Sequence, residues 1–147
     1  MPDFMLENSL GSLISKTKWY INAFFNKMVK ENGINITPEQ WVMLMIISDN
    51  PGISQAEIAE KGLKDKTNVT RMIDVLERDN YLERKKDEND RRMYRINLTD
   101  KGKEILKKTY PIIYNINKES SENLTNKELA DLKKYLTNIC NTINKKI

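Results

Sequence analysis

Short polar and cationic side chains gather at the start of one segment whose apolar residues recur at helical spacing. The polar side chains are Lys66, Thr67, Asn68, Thr70 and Arg71. The opposite stripe consists of Val69, Ile73 and Leu76. Side chains of the first kind can hydrogen-bond to base edges in the DNA major groove, while the apolar stripe packs against a scaffold. Because an ordinary solvated helix face has a similar composition, this segment on its own is a weak signal for DNA binding.

A second group of charges lies on a predicted β-hairpin. Residues 82–85 are expected to be extended, residues 93–98 alternate apolar and polar, and the charged stretch 86–92 separates them. Arginines at the tip of such a hairpin can enter a narrow minor groove, where the negative potential is concentrated. The alternative is a solvated turn whose charges neutralise each other. The hairpin residues predicted to contact DNA are Arg84, Lys86, Asp90, Arg91 and Arg92.

The alternation of side chains along a strand predicts how the charges at the tip are arranged. Asp90 and Arg92 would share one face of the hairpin, and Arg91 would point away from it. The Asp90 carboxylate would then brace the Arg92 guanidinium, while Arg91 would lie nearer the DNA backbone. This arrangement predicts different roles for two adjacent arginines.

The residue types needed for most catalytic and metal sites are missing from the sequence. It contains no His, which excludes Ser-His-Asp and Cys-His catalysis and the usual zinc sites. The one cysteine, Cys140, excludes an intramolecular disulfide. We therefore predict no catalytic residue, no metal and no cofactor, and we do not expect an enzyme.

Length and composition indicate a mainly helical protein. The chain has 147 residues with five Gly and four Pro, which favours helices and allows a core without metal or disulfide. Its net charge of +4 is compatible with a nucleic-acid partner without requiring one. The longest apolar run, residues 41–47, is too short to cross a bilayer, and residues 1–20 lack a signal-peptide pattern. We expect a cytoplasmic protein that makes no membrane contact.

The first half of the chain carries clear helix signals. A long amphipathic helix is predicted over residues 6–31 and ends at Gly33. The next helix begins at Thr37, which forms a capping box with Gln40 and is followed by Pro38 at the first helical position. Since the residues that follow are apolar almost all round, this helix is expected to be buried.

Two shorter helices are predicted before the hairpin. Ser54 and Glu57 form a second capping box, which opens a short helix that ends near Gly62. A helix over residues 66–79 follows after a few residues. Two short helices joined by a turn that contains Gly are typical of a helix-turn-helix.

Two further helices are predicted after the hairpin. Thr99 should cap a helix that Pro111 bends or breaks, because proline removes a backbone donor. A last capping box, Thr125 with Glu128, opens a helix with an apolar seam for a partner helix. The seam consists of Leu129, Leu132, Leu136, Ile139 and Ile143.

In order and spacing, several stretches of the sequence resemble the core of the MarR family of winged helix-turn-helix regulators. These stretches are Thr37–Trp41, Ser54–Ala59, Thr67–Arg71, Leu76 with Glu77, Asp90–Arg92 and Leu98–Gly102. The resemblance implies a mainly α fold with a small β-hairpin wing. Residues 37–103 would form the winged helix-turn-helix, and residues 1–36 and 104–147 would form a helical dimerisation region. Asn80 stands where the family usually has Gly, and Asn tolerates positive φ.

The resemblance also implies a function. The chain would be an obligate homodimer that binds double-stranded DNA as a sequence-specific repressor on a pseudo-palindromic operator. A recognition helix from about Lys66 would occupy the major groove, and Arg92, oriented by Asp90, would be the wing arginine. A small aromatic or amphipathic effector would release the DNA. The residues that could line an effector site are Trp19, Tyr20, Phe24, Trp41 and Met45, although side chains of these types are more often core.

The single cysteine has two interpretations. Some MarR-like proteins switch by cysteine oxidation, but their cysteines lie near the N-terminus, whereas Cys140 lies on the last predicted helix. We expect Cys140 to be a small buried hydrophobe in the seam.

Two other functions use parts of the same pattern. A non-specific architectural DNA binder could have the same fold and bind mainly through phosphate contacts. A helical protein-interaction module or a small enzyme belongs to a different class. No catalytic constellation supports an enzyme, and an interaction module gives no reason for arginines at the hairpin tip.

Overall fold

The structure, a computed structural model, describes residues 8–61 and 66–147. Within these ranges the chain forms six helices and one antiparallel hairpin. They are, in chain order, α1 (Leu10–Glu31), α2 (Pro38–Asp49), α3 (Gln55–Glu60), α4 (Lys66–Arg78), β1 (Leu82–Lys86), β2 (Tyr94–Leu98), α5 (Asp100–Ser120) and α6 (Asn126–Asn144). The predicted helix start at residue 6 and the predicted end near Gly62 lie outside the described residues. The fold confirms the mainly α class with a small β-hairpin.

Capping boxes begin three of the helices, as predicted. In α2 the Thr37 hydroxyl accepts from the Gln40 N–H at 3.1 Å, and the Gln40 side chain accepts from the Thr37 N–H at 3.0 Å. Ser54 begins α3 and Thr125 begins α6 by the same reciprocal bonds. Each box satisfies two backbone donors that a helix start would otherwise leave without partners. The helix starts are therefore encoded locally.

The core of residues 8–61 and 66–113 lies around α2, α4 and the hairpin. The predicted inward stripe of α4 is confirmed, because Val69, Ile73 and Leu76 are at most 1% exposed. In contrast, α2 is buried on one side only, and Val42 is 40% exposed. The prediction that α2 is buried was wrong for this face, because apolar residues all round a helix do not supply neighbours on every side. Met43 lies on the covered side and is fully buried.

The hairpin is connected to the turn between α2 and α3. Leu82 pairs with Leu98 and Lys86 with Tyr94 in an antiparallel register. Ile96 of β2 also exchanges backbone hydrogen bonds with this turn: its N–H donates to the Ile53 carbonyl at 3.0 Å, and its carbonyl accepts from the Gly52 N–H at 3.1 Å. Because of these bonds the hairpin base is fixed to the helix-turn-helix.

The residues that enter and leave the hairpin have special backbone requirements. Asn80 has φ +61°, which confirms the positive φ predicted where the MarR pattern has Gly. After the hairpin, the Thr99 hydroxyl accepts from the Gly102 N–H at 3.1 Å, as expected of the cap of α5. At Gly102 a Cβ atom would overlap the Tyr81 carbonyl oxygen. This contact explains why glycine is needed in the first turn of α5.

We expect Gly102→Ala to lower the free energy of unfolding by at least about 1 kcal/mol, because the backbone of α5 or of Tyr81 must move to admit the methyl group. Gly11→Ala is a matched control, since Gly11 is helical and its Cβ would meet no atom within 4 Å. At Gly11 the higher helix propensity of alanine should raise the free energy of unfolding slightly. Urea unfolding of both variants measures the difference, and equal midpoints would contradict the close approach at Gly102.

Pro111 does not break α5. The helix runs without interruption from Asp100 to Ser120, so of the two predicted outcomes the break was wrong and the bend stays a prediction. Proline removes a single backbone donor, and the bonds of the neighbouring turns are enough to continue a helix of this length. Nearby, the buried Thr109 hydroxyl donates to backbone carbonyls of its own helix and accepts from the Trp41 indole N–H at 3.1 Å. This bond connects α2 with α5.

The chain divides into two compact units, residues 1–113 and 114–147. In the second unit, α6 has no buried residue. In the single chain three residues of its predicted seam, Leu132, Leu136 and Ile143, are between 38% and 53% exposed, and Leu129 and Ile139 are half-buried. Cys140 is also exposed, so its predicted burial is not found within one chain. Among the described residues no helix has the length and apolar character needed to cross a membrane.

Candidate nucleic-acid interface

The structure places the predicted polar residues of α4 on one exposed helix face. We call this set the recognition face, and it consists of Lys66, Thr67, Asn68, Thr70 and Arg71. All five are exposed, whereas Val69, Ile73 and Leu76 face the core. No acidic residue lies in the first turn of α4, so the electropositive start of the helix adds to the charge of Lys66. The face therefore suits a polyanion.

Thr70 has a structural role within this face. Its hydroxyl accepts a hydrogen bond from the Gln55 side chain at the start of α3. The same hydroxyl donates to the Lys66 carbonyl at 3.0 Å. Since one acceptor and one donor position of the hydroxyl are already used, Thr70 holds α3 and α4 together. Sequence reasoning missed Gln55, whose only signal was its place in the Ser54–Ala59 stretch.

Arg84, one of the predicted DNA contacts, is paired with acidic residues of α4. Its side chain is 24% exposed and forms ion pairs with Asp74 and Glu77 of α4. The Arg84 backbone N–H also donates to the Glu77 carboxylate at 3.3 Å. The guanidinium is therefore held against α4. Its effect is to neutralise the two acidic side chains in the middle of this helix.

Because Arg84 pairs with Asp74, the Arg71 side chain is available to bind a ligand. Asp74 lies three residues after Arg71, close enough on a helix for an ion pair. Because Asp74 pairs with Arg84 instead, Arg71 makes no ion pair within the described part of the chain. Arg71 thus presents on the recognition face an exposed guanidinium that no described acidic residue pairs with.

At the hairpin the structure changes the predicted arrangement. We call residues 87–93 the wing tip; they form a turn rather than extended strand. The Asp90 carboxylate accepts from the backbone N–H of Arg92 at 2.9 Å, and the Asp90 carbonyl accepts from the Met93 N–H at 3.0 Å. Asp90 thus fixes the backbone at Arg92 and not its guanidinium. The predicted bracing was wrong because strand alternation does not extend into a turn.

The cations of the wing tip remain exposed. Lys86 lies at the end of β1, and Arg91 and Arg92 lie in the turn. These three side chains form no ion pair with another described residue. The acidic residues of this segment are Asp87, Glu88 and Asp90, of which Asp87 is neutralised by Arg95 of β2. Within the described residues one acidic side chain of this segment is thus paired, and Glu88 and Asp90 are exposed together with the cations.

Asp87 organises the wing tip. One carboxylate oxygen accepts from the backbone N–H groups of Asn89 and Asp90 at 2.8 and 2.9 Å, and the other accepts from Arg95 Nε at 2.6 Å. The hydrogen bond from Arg95, followed by the two backbone bonds, lowers the pKa of the Asp87 carboxyl from 3.8 to about 2. Sequence reasoning missed both residues. The signal was an acidic residue at the start of a hairpin turn and a cation on the returning strand.

This pKa predicts how the wing tip responds to acid. Because the folded-state pKa lies below the ordinary value of 3.8, the Asp87 contacts contribute stability above that pH and lose it as the pH falls through about 2. We expect amide exchange in residues 87–93, corrected for intrinsic rates, to stay constant between pH 7 and 5. In Asp87→Asn these amides should exchange faster throughout this range. Faster amide exchange in the wild-type wing tip already at pH 5 would contradict the lowered pKa of Asp87.

The predicted effector residues are divided between exposed and half-buried positions. Trp19 and Tyr20 are 64% and 57% exposed. Their rings pack edge to face, with 4.9 Å between the ring centroids. Phe24, Trp41 and Met45 are half-buried. Four open cavities of about 250 to 480 Å³ in the described part of the chain are lined by other residues. Among the described residues, no three acidic or cysteine side chains are grouped as a metal ion would require.

Comparisons with known proteins agree with this geometry. The model of the MarR family matches residues 36–94. The transcriptional repressor MprA of Escherichia coli is 36% identical over 90 residues, which are 61% of this chain and 51% of MprA. The regulator BilQ of Clostridioides difficile is 30% identical over 67% of this chain and 65% of its own. The chain thus matches about half of the length of MprA.

One solved structure similar to this chain contains DNA. A cysteine-to-serine variant of MarR from Escherichia coli in complex with operator DNA has a TM-score of 0.84 and 25% identity to this chain. The match covers 92% of this chain and 97% of the MarR chain. The likeness therefore extends beyond the segment that the family model matches.

Proposed function

The chain belongs to the MarR family, and from this premise we propose that it is a homodimeric transcriptional repressor that binds a pseudo-palindromic operator. The observation that carries the proposal is that one winged helix-turn-helix presents exposed cations on two surfaces: Lys66 and Arg71 on the recognition face, and Arg91 and Arg92 on the wing tip. The operator-bound MarR structure supports the same use of the fold. The family and the fold are those of transcription regulators and not of an enzyme.

In the proposed complex the two surfaces have different tasks. The recognition face enters the major groove, where Arg71 and Asn68 can reach base edges. The wing tip lies over the adjacent minor groove, where Arg92 meets concentrated negative potential. Two copies of α4 about one DNA turn apart, roughly 34 Å, would match the two-fold symmetry of the operator.

Exposed apolar side chains support the homodimer. On α1, Leu10 and Leu13 are 53% and 49% exposed, and on α6 three of the five seam residues, Leu132, Leu136 and Ile143, are exposed as well. Apolar surface of this extent on two helices favours association with a second copy. Light scattering should give twice the 17.3 kDa of one chain at micromolar concentration. A monodisperse monomer at that concentration would refute the dimer.

Sequence-specific binding is tested by selecting bound duplexes from a random library and measuring their affinities by fluorescence anisotropy. We expect enrichment of an inverted repeat and much weaker binding to unselected DNA, since specific sites typically bind about 10³- to 10⁷-fold more tightly. Equal affinity for all duplexes would favour the architectural binder. No binding at low salt would favour the protein-interaction module.

We also propose that a small aromatic or amphipathic effector releases the DNA by binding near Trp19, Tyr20, Phe24, Trp41 and Met45. The sequence has two tryptophans, and both belong to this set. Intrinsic fluorescence therefore reports on the proposed site without labelling. Compounds that change the emission should also lower DNA affinity, because an effector acts through its different affinities for the two states. A compound that changes emission and leaves DNA affinity intact would contradict this site as the effector site.

A further inference from the structure

Arg95 is the residue through which the wing tip is joined to the helix-turn-helix. Its Nε donates to the Asp87 carboxylate at 2.6 Å, and its Nη1 donates to the Gly52 carbonyl at 3.3 Å. The same Nη1 lies 4.0 Å from a carboxylate oxygen of Glu57. One guanidinium thus contacts the wing tip, the turn before α3 and the first turn of α3.

Each partner of Arg95 is itself fixed to backbone. Asp87 accepts from two amides of the wing tip. Glu57 accepts from the Ser54 N–H at 2.8 Å in the capping box that begins α3. Gly52 contributes a carbonyl from a turn with φ +77°. The contacts therefore run from the start of α3 through Arg95 to the amides of the wing tip, with a backbone contact at each end.

The geometry requires arginine rather than a general positive charge. Two different nitrogens of the guanidinium face two different elements, which a planar fork with several donors can do and a single ammonium cannot. The Arg95 pKa is raised above its ordinary value, first by the hydrogen bond to Asp87 and then by the charge of that carboxylate. Since its charge is balanced by Asp87 and Glu57, Arg95 has little left to offer to a phosphate.

We propose that Arg95 is a positioning residue that sets the placement of the wing tip before DNA arrives, so that Arg92 meets the groove without first being ordered. The inference rests on the proposed DNA binding. A surface that is ordered beforehand loses less conformational entropy on binding and therefore binds more tightly. Arg95 acts on DNA only through the wing tip.

The test compares Arg95→Met with Lys85→Met. Lys85 is the register partner of Arg95 on β1, so both variants remove one positive charge from the same place in the hairpin. On the selected duplex we expect Arg95→Met to lose affinity on the order of tenfold, which corresponds to about 1.4 kcal/mol. Lys85→Met should lose about twofold, since it removes general attraction and an exposed ion pair with Glu83 at 2.7 Å that does not reach the wing tip. Equal losses would overturn the positioning role.

A double variant separates positioning from structure. If Arg95 acts through Arg92, then Arg92→Ala combined with Arg95→Met should bind about as weakly as Arg92→Ala alone. Losses that add in full would show that Arg95 acts by another route. Arg95→Lys should fall between wild type and Arg95→Met, because it keeps the charge and loses the fork. Full recovery by lysine would mean that charge alone is sufficient.

Amide exchange in the free protein tests the role of Arg95 independently of DNA binding. Amide exchange at Asn89 and Asp90 should accelerate in Arg95→Met and stay at the wild-type rate in Lys85→Met. Unchanged exchange in Arg95→Met would overturn the inference even if the wild-type protein binds DNA. If the wild type binds no DNA while exchange accelerates as expected, the proposed function fails and Arg95 is confirmed only as the residue that orders the wing tip.

Discussion

Arg71→Ala is expected to weaken binding to the selected duplex by about 1 to 3 kcal/mol, the range for an arginine that reads a base in the major groove. Three observations support this size of effect. Arg71 is exposed on the recognition face, its nearest helical acid is paired with Arg84, and it makes no ion pair within the described residues. The side chain thus reaches DNA without first breaking an internal contact.

Arg78→Ala is the matched control for Arg71. Arg78 lies at the last turn of the same helix, is exposed, and pairs with the adjacent Asp79 at 3.2 Å. Its loss should change affinity little, because it lies away from the start of α4 and is already paired. Anisotropy on selected and unselected duplexes then decides the role of Arg71. An equal loss on both would make it a phosphate contact, and unchanged affinity would show that α4 is not the recognition helix.

The parts of the fold that could be predicted from sequence are those with local causes. A capping box needs two side chains three residues apart, so Thr37, Ser54 and Thr125 each identify a helix start without knowledge of the rest of the chain. The inward stripe of α4 follows from helical periodicity in the same way. Positive φ at Asn80 follows from the backbone tolerance of a single residue.

The parts that could not be predicted depend on which elements meet. Arg84 looked like a DNA contact because its type and its place in a hairpin suit one, but α4 presents Asp74 and Glu77 to it. For Arg95 the hairpin pattern pointed only to Asp87, because Gly52 lies 43 residues before Arg95 in the sequence. The exposed face of α2 likewise depends on where neighbouring helices pack. Ion pairs between elements therefore require the fold.

At the wing tip, strand alternation identified Asp90 as a partner of Arg92, but it predicted the wrong contact between them. Strand alternation predicted a carboxylate that braces the Arg92 guanidinium. The structure has the same carboxylate, Asp90, on the Arg92 backbone N–H at 2.9 Å. Asp90 and Asp87 together hold three amides of the turn. The order of the tip is therefore fixed through its backbone, which leaves the arginine side chains free to reach DNA.

We expect Arg92→Ala to weaken binding by about 1 to 3 kcal/mol on duplexes whose flanks are rich in A·T steps, and by less where the minor groove is wide. Arg91→Ala should weaken all duplexes similarly and lower the salt slope by about 1, as expected of a phosphate contact. Both arginines are exposed and free of ion pairs within the described residues, so neither loss should alter the fold. Anisotropy at two salt concentrations on matched duplexes measures both effects.

Variants of Asp90 test how the wing tip presents Arg92. Asp90→Ala removes the acceptor of the Arg92 N–H and should reproduce part of the Arg92→Ala loss, although it also removes a negative charge near DNA. Asp90→Asn keeps an acceptor oxygen at the same place and removes the charge, so it should bind at least as well as wild type. Simple electrostatics would instead make both variants bind more tightly. If Asp90→Ala gains affinity and Arg91→Ala is the weakest binder of the series, the wing tip acts as an unordered cluster of charges.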